Sequence, residues 1–234
     1  MKAVREQIHA GSDVIKLMAT GGVMTPGVNP EDAHYTEEEL CVGVDEGHRF
    51  HRTCASHAQG AAGILNAVRA GMDSIEHGIF MTQECLEAML EKGTYLVPTL
   101  AAVNNIYINR HKGIPDFIVE KTIRVRERHH QSIKMFYEAG GKIAMGTDAG
   151  TPFNVHGDNS QELQFMVDLG ISNSDALSFS TADAADLMGL ADRGQISEGY
   201  IADLLIVSGN PVEDISVVAN QKNHRSVIKN GAKV

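Results

Sequence analysis

KIAMGTDAG, residues 142–150, is the stretch from which the rest of the chain is read. The run from Lys142 to Met145 reads as a short buried strand. Asp148 stands where the apolar run stops, and glycine follows almost at once. A carboxylate in that position is costly unless it is paired, hydrogen-bonded or bound to a metal. Three other stretches have the same grammar. Val14 and Ile15 lead to Lys16 and then to the pair Gly21 and Gly22. TCAS (53–56) leads to His57 and then Gly60. SIE (74–76) leads to His77 and then Gly78. Each is a short strand that ends in a titratable or metal-capable side chain, with a glycine turn beyond it. Parallel βα proteins carry their chemistry at such ends.

The elements around these four points alternate. A helix end over residues 2–10 precedes the strand through Lys16. A Gly/Pro/Asn-rich loop over 19–35 follows, longer than an ordinary connection and so read as a lid or binding loop. Thr36 and Glu39 have the spacing of a capping box that opens a helix to about Phe50. Helices are expected over 61–70 and 82–92, a strand over 95–100, a polar loop over 101–115 and a long helix over 116–139. After the strand to Asp148 come helices near 160–169 and from 172 to about 189. Beyond Gly189 the helical period disappears. Short β segments are expected at 194–199 and 202–207, with a closing hairpin whose turn is Asn230-Gly231. Five strand–helix units followed by a β tail predict an α/β fold with a parallel sheet over 1–190, too few units to close an eight-stranded barrel, and a small β module over 191–234.

Composition narrows the function classes. Thirty Asp and Glu against 20 Lys and Arg give a formal net charge of −10, which argues against a nucleic-acid partner. No apolar run approaches the ~20 residues of a membrane helix. Cys41, Cys54 and Cys85 are odd in number and lack CxxC spacing, so they read as reduced, buried thiols in a cytoplasmic protein.

At this point the motifs resemble a family. DVIKLMATGG (13–22), SHAQG (56–60), SIEHG (74–78), VPTL (97–100), MGTDAG (145–150) and GQISEGYIADLLIV (194–207) are similar, in order and spacing, to the amidohydrolase superfamily. The branch resembled holds imidazolonepropionase-like and Xaa-Pro dipeptidase-like hydrolases. The resemblance covers nearly the whole chain and matches that family's C-terminal part, barrel strands 4–8 and the strands that complete a composite β-sandwich. It implies that residues 1–190 are part of a (β/α)8 barrel holding divalent metal, zinc above all. Lys16 matches the strand-4 lysine carried as a carbamate that bridges two metals. His57 and His77 match the histidines of strands 5 and 6, which bind the more exposed metal. Asp148 matches the strand-8 aspartate, which ligates the buried metal and shuttles the catalytic proton. The family's strand-1 His-x-His is not among these residues, so the chain reads as a fragment or truncation, and at most one zinc is expected here.

Taken singly these residues have plainer readings. Lys16 could be a snorkelling surface lysine, His57 and His77 core histidines, and Asp148 a loop cap. Glu76 alternates away from His77 and reads as packing or support. His156, in the loop after Asp148, reads as a substrate contact, with a surface role as the alternative. His9, His34, His48, His51, His111, His129, His130 and His224 read as solvated. The constellation implies hydrolysis of an amide or cyclic-amide C–N bond, dipeptides included, by metal-activated water, with Asp148 taking and returning its proton. The alternatives are a catalytically incomplete fragment, or a metal- or small-molecule-binding module without turnover. The partners expected are a small-molecule substrate, no nucleic acid and no membrane, with an N-terminal complementing segment or a second copy of the chain as candidates for completing the barrel.

Overall fold

A computed structural model describes residues 1–234. The chain divides into two compact units, one of Met1–Pro98 with Arg110–Lys142, the other of Thr99–Asn109 with Ile143–Val234. No helix is long and apolar enough to cross a membrane.

The first unit is a four-stranded parallel sheet in the order β1 (Val14–Met18), β2 (Thr53–Ala58), β3 (Ser74–His77), β4 (Tyr95–Val97). Its helices are α1 (Lys2–His9), α2 (Glu37–Arg49), α3 (Ala61–Arg69), α4 (Gln83–Lys92) and α6 (Asp116–Glu138). The local signals act as read. Thr36 and Glu39 form the reciprocal capping box of α2. Thr82 caps α4, and Gly93 closes it in a left-handed conformation.

One face of the sheet packs on helices. Leu17, Ser56, Ile75 and Leu96 form one row of it, and Ile15 and Cys54 the next. Helix α2 approaches this face through Gly43 and Gly47, one turn apart. A Cβ at Gly47 would lie 2.5 Å from Cys54 Sγ, and one at Gly43 2.8 Å from Leu17 Cδ1. The buried Glu46 carboxylate of the same helix is held by Arg5 of α1 and by Arg49 at 3.6 Å.

In the second unit, α5 (Leu100–Ile108) and α7 (Gln161–Asp168) pack together, followed by α8 (Asn173–Phe179) and α9 (Ala182–Leu187). The fully buried Glu162 of α7 accepts hydrogen bonds from the Leu100 and Ala101 N–H groups, at 2.7 and 2.6 Å. It thereby satisfies two donors that every helix start leaves open. A three-stranded antiparallel sheet follows: β5 (Leu204–Val207), β6 (His224–Lys229) and β7 (Ala232–Lys233). Short α10 (Ser216–Ala219) lies between β5 and β6. Asn230 and Gly231, at φ 52° and 76°, make the expected hairpin turn.

Five expectations need correction. The parallel sheet has four strands, not five. Lys142 carbonyl still accepts from Leu96 N–H at 2.9 Å, but Met145 N–H turns to Phe179 carbonyl at 2.8 Å, so the run before Asp148 forms no ladder. Pro98 cannot donate, and β4 stops before it. Residues 101–108 lie in helix α5 rather than in a polar loop, because the helix start is capped by Glu162 from 62 positions away. The expected helix over 172–189 breaks at Thr181, whose backbone (φ −129°, ψ −90°) is not helical, and residues 194–199 are turns rather than strand.

Two stability predictions follow from this packing. Gly47→Ala is expected to destabilise, because overpacking costs about 1–3 kcal/mol against the about 1 kcal/mol that alanine gains in a helix. Gly43→Ala meets only the mobile end of Leu17 and is expected to be neutral or stabilising; urea midpoints that rank the two variants in the opposite order overturn this packing argument. Glu162→Gln turns an amide NH2 on one of the two α5 N–H donors and is expected to cost about 1–3 kcal/mol. Burial pushes the Glu162 carboxyl up to about 8, against the pull of its two N–H bonds. The folded chain then keeps a proton the unfolded chain has lost. Wild-type stability therefore falls as pH rises from about 4.5 to about 8, and the glutamine variant lacks that slope. A wild-type curve that climbs over the same window removes the buried acid from this account.

Candidate active site

The sheet face opposite the helices carries the side chains singled out from the sequence. Register aligns Lys16 with Ala55, Ser74 and Tyr95, and Met18 with His57, Glu76 and Val97. Strand alternation therefore gives Lys16, His57 and Glu76 one face. Glu76 is not turned away from the site, as alternation from His77 suggested. Its carboxylate lies 3.7 Å from Lys16 Nζ and accepts from Ser74 Oγ at 2.7 Å. β1 runs two residues beyond Lys16, so that lysine sits mid-strand, 44% exposed, on a strand with one neighbour.

His77 is the residue that leaves the pleat. Register pairs it with Ala58, on the helix side, but its φ of +73° takes it out of alternation. Its ring meets that of His57 edge-on, centroids 4.6 Å apart and planes at 72°. A left-handed backbone at a non-glycine residue persists only where surroundings impose it, and such positions cluster at functional sites. Both residues are 7% exposed. Burial holds the His77 imidazolium well below its ordinary range, and His57, the Lys16 cation and His129 add to the effect. His77 is thus neutral at pH 7, the form that ligates metal.

The 19–35 loop closes over His57. The His57 carbonyl accepts from Ala19 N–H at 2.9 Å, and His57 Nε2 lies 2.9 Å from the Gly21 carbonyl. Gly21 N–H in turn reaches Asp32 carbonyl, and Thr20 bridges to Ala33. From below, α6 contributes His129. It is fully buried rather than solvated, with Nε2 2.8 Å from Pro98 carbonyl. Burial, with His130, drives its pKa down to about 3. Burial also pulls the half-buried His130 down to about 4, with Arg126 adding to it. Both were expected to be solvated, because the pattern of α6 does not say what its inner face meets.

Asp148 and His156 belong to the second unit. Asp148 is exposed and, like His77, left-handed, at φ +53°. Its loop is tied by Asn154, a residue the sequence reading passed over. Asn154 Nδ2 donates to the carbonyls of Thr147 and Asp148, at 2.6 and 3.1 Å, and to Thr151 Oγ1 at 3.1 Å, while the Asn154 backbone carbonyl accepts from Gly150 N–H at 2.7 Å. His156 is exposed and its ring stands over Gly150. Three of the expected site residues, Lys16, His57 and His77, thus share one sheet. Asp148 and His156 share one loop.

A second group of donors, His48, Cys54 and Asp73, lies near the N-terminal ends of the strands. There Asp73 Oδ2 is 2.8 Å from His48 Nε2 and accepts from Cys54 N–H at 2.7 Å. Burial, with Asp73 adding to it, pushes the Cys54 thiol up to about 12, so it offers no thiolate. The group ties strand starts to α2. The His57–His77 pair suits a divalent cation better: two buried imidazoles, one held neutral, at adjacent ends of parallel strands.

Residues 1–234 match the sequence profile described as Amidohydrolase family. The chain is 36% identical to ochratoxinase of Aspergillus niger over 233 residues, 98% of this chain and 48% of that one. Its fold is similar to a Xaa-Pro dipeptidase crystallised with methionine in the active site, with TM-score 0.93 and 37% identity over 100% of this chain and 57% of that one. It is also similar to a prolidase complexed with N-methylphosphonate-L-proline, with TM-score 0.92 and 32% identity over 100% and 57%. The chain therefore spans about half the length of these relatives. With the match running over every residue, the chain belongs to the amidohydrolase family.

Proposed function

We propose that this chain supplies the Lys16, His57, His77 and Asp148 part of a metal-dependent hydrolase site for C–N bonds, in a barrel portion over 1–190 with residues 191–234 contributing strands to a composite β-sandwich. The observation that carries the reading is the edge-on pairing of His57 and His77, one of them in a strained backbone, at adjacent strand ends. His57 and His77 would hold zinc or a like cation, which when bound polarises the scissile carbonyl and acidifies water. Asp148 would accept the proton from that water and return it to the leaving nitrogen. His156, over the same loop, would contact substrate. The relatives named for Xaa-Pro dipeptides, proline phosphonate and ochratoxin favour a peptide-like or N-acyl amino-acid amide as substrate.

Lys16 would join the centre as a carbamate only when cations are present. Its ammonium now faces Glu76 at 3.7 Å. A carbamate would set two anions at that spacing, a repulsion of about 4 kcal/mol at an effective dielectric of 20, reduced by solvent at a lysine this exposed. Metal charge offsets that repulsion, so carbamylation and metal loading are expected to rise together, read by 13C NMR in labelled bicarbonate. The edge of β1 is where a further segment or a second copy of the chain would pair.

Zinc analysis with hydrolysis of a panel of dipeptides and N-acyl amino acids tests this reading. His57→Ala and His77→Ala are each expected to abolish the zinc they hold. Asp148→Asn is expected to keep zinc and lower kcat by about 10²–10⁴-fold with KM little changed. Zinc that survives both histidine substitutions sinks the proposal.

A further inference from the structure

The loop that closes on His57 is also tied to α6, chiefly by one ammonium group. Lys121, half-buried on α6, donates to three backbone carbonyls of that loop: Thr25 and Val28 at 2.7 Å and Gly22 at 3.5 Å. Three donors meet three acceptors, which is the whole capacity of a lysine. Three residues along the helix, Arg124 donates to Asn29 Oδ1 at 2.6 Å and lies 3.6 Å from Glu31. The loop leaves little slack between this strap and the histidine. A Cβ at Gly21 would collide with the Asn29 carbonyl, and one at Gly22 would touch the His57 ring, 3.5 Å from Cε1.

We propose that Lys121 is a positioning residue for His57, acting through the loop backbone to seat the Gly21 carbonyl on His57 Nε2. A carbonyl has no proton to give, so the 2.9 Å contact requires Nε2 to be the donor. Neutral His57 is thereby fixed as the Nε2–H tautomer. Nδ1 is then the nitrogen that offers a lone pair to a cation, and the ring plane is set by the strap. Partners of this kind raise ligand basicity and orient the ring. The inference rests on the metal-site reading for its consequence, but the tautomer exists without metal.

The test measures His57 ring nitrogens by long-range 1H–15N NMR on the metal-free chain, and zinc affinity by chelator competition. Wild-type His57 is expected as the Nε2–H tautomer. Lys121→Met is expected to mix the tautomers and to weaken zinc binding by about 10–100-fold. Lys134→Met, at an exposed position on the same helix, is the control for general loss of helix stability and is expected to change neither. A wild-type Nδ1–H tautomer overturns the proposal by itself, even if Lys121→Met does not fold. So does a Lys121→Met chain whose tautomer and zinc affinity both match wild type. If wild type binds no zinc, the metal reading fails, and the tautomer shift in metal-free Lys121→Met alone decides the strap.

Discussion

The parallel register of β1, β2 and β3 is the constraint on which the candidate site depends. It pairs Met18 with His57 and His57 with Glu76, and it sets His77 one step further along, opposite Ala58. A slip of one residue in β2 would turn His57 to the helix face and bring Cys54, buried under α2, to the other side. Burial forbids that exchange. Ile15, Cys54, Ile75 and Leu96 are at most 4% exposed, and an imidazole in the space they fill would need a partner that an apolar face does not supply. The packing of one face of the sheet thus fixes the chemistry of the other.

Register alone does not complete the pair of rings, because alternation would send His77 to the wrong face. The left-handed turn at His77 corrects this, at a cost of order 1–3 kcal/mol. The ladder holds the residue just before it, and Gly78 N–H donates to the Ala58 carbonyl just after it. The same device recurs at Asp148, where Asn154 holds the carbonyls of Thr147 and of Asp148 itself in place of a ladder. Two of the residues singled out from the sequence therefore share a strained backbone, reached by different supports.

Much of this was legible in the chain because it is local. Thr36 with Glu39, Thr82 with Gly93, and Asn230-Gly231 each act within a few residues, and each structure they predict is present. The histidine pair was legible because strand-end residues followed by glycine follow a local pattern too. What failed to show depended on distant partners. Residues 101–108 look like a loop until Glu162 caps their helix. The run before Asp148 looks like a strand until Met145 N–H is seen to bond Phe179. His129 looks solvated on a charged helix, and Glu76 looks turned away, because neither their neighbours nor the backbone turn at His77 are encoded nearby.

The two ends of the sheet show why residue type alone does not identify a site. Each end brings histidine together with other donors. Near the strand starts, Asp73 Oδ2 is already engaged by His48 and by the Cys54 N–H, and the thiol is held protonated by burial. Every polar bond there joins one piece of the scaffold to another, as expected on the stability side of a βα sheet. At the strand ends, burial instead keeps His77 neutral, and neutral imidazole is the ligating form. Desolvation acts at both ends and in both cases favours the uncharged species. For a thiol that species is the inert one, and for an imidazole it is the one that binds metal. The difference in capability between the two ends therefore follows from which titratable group each buries, and from the loop that covers only one of them.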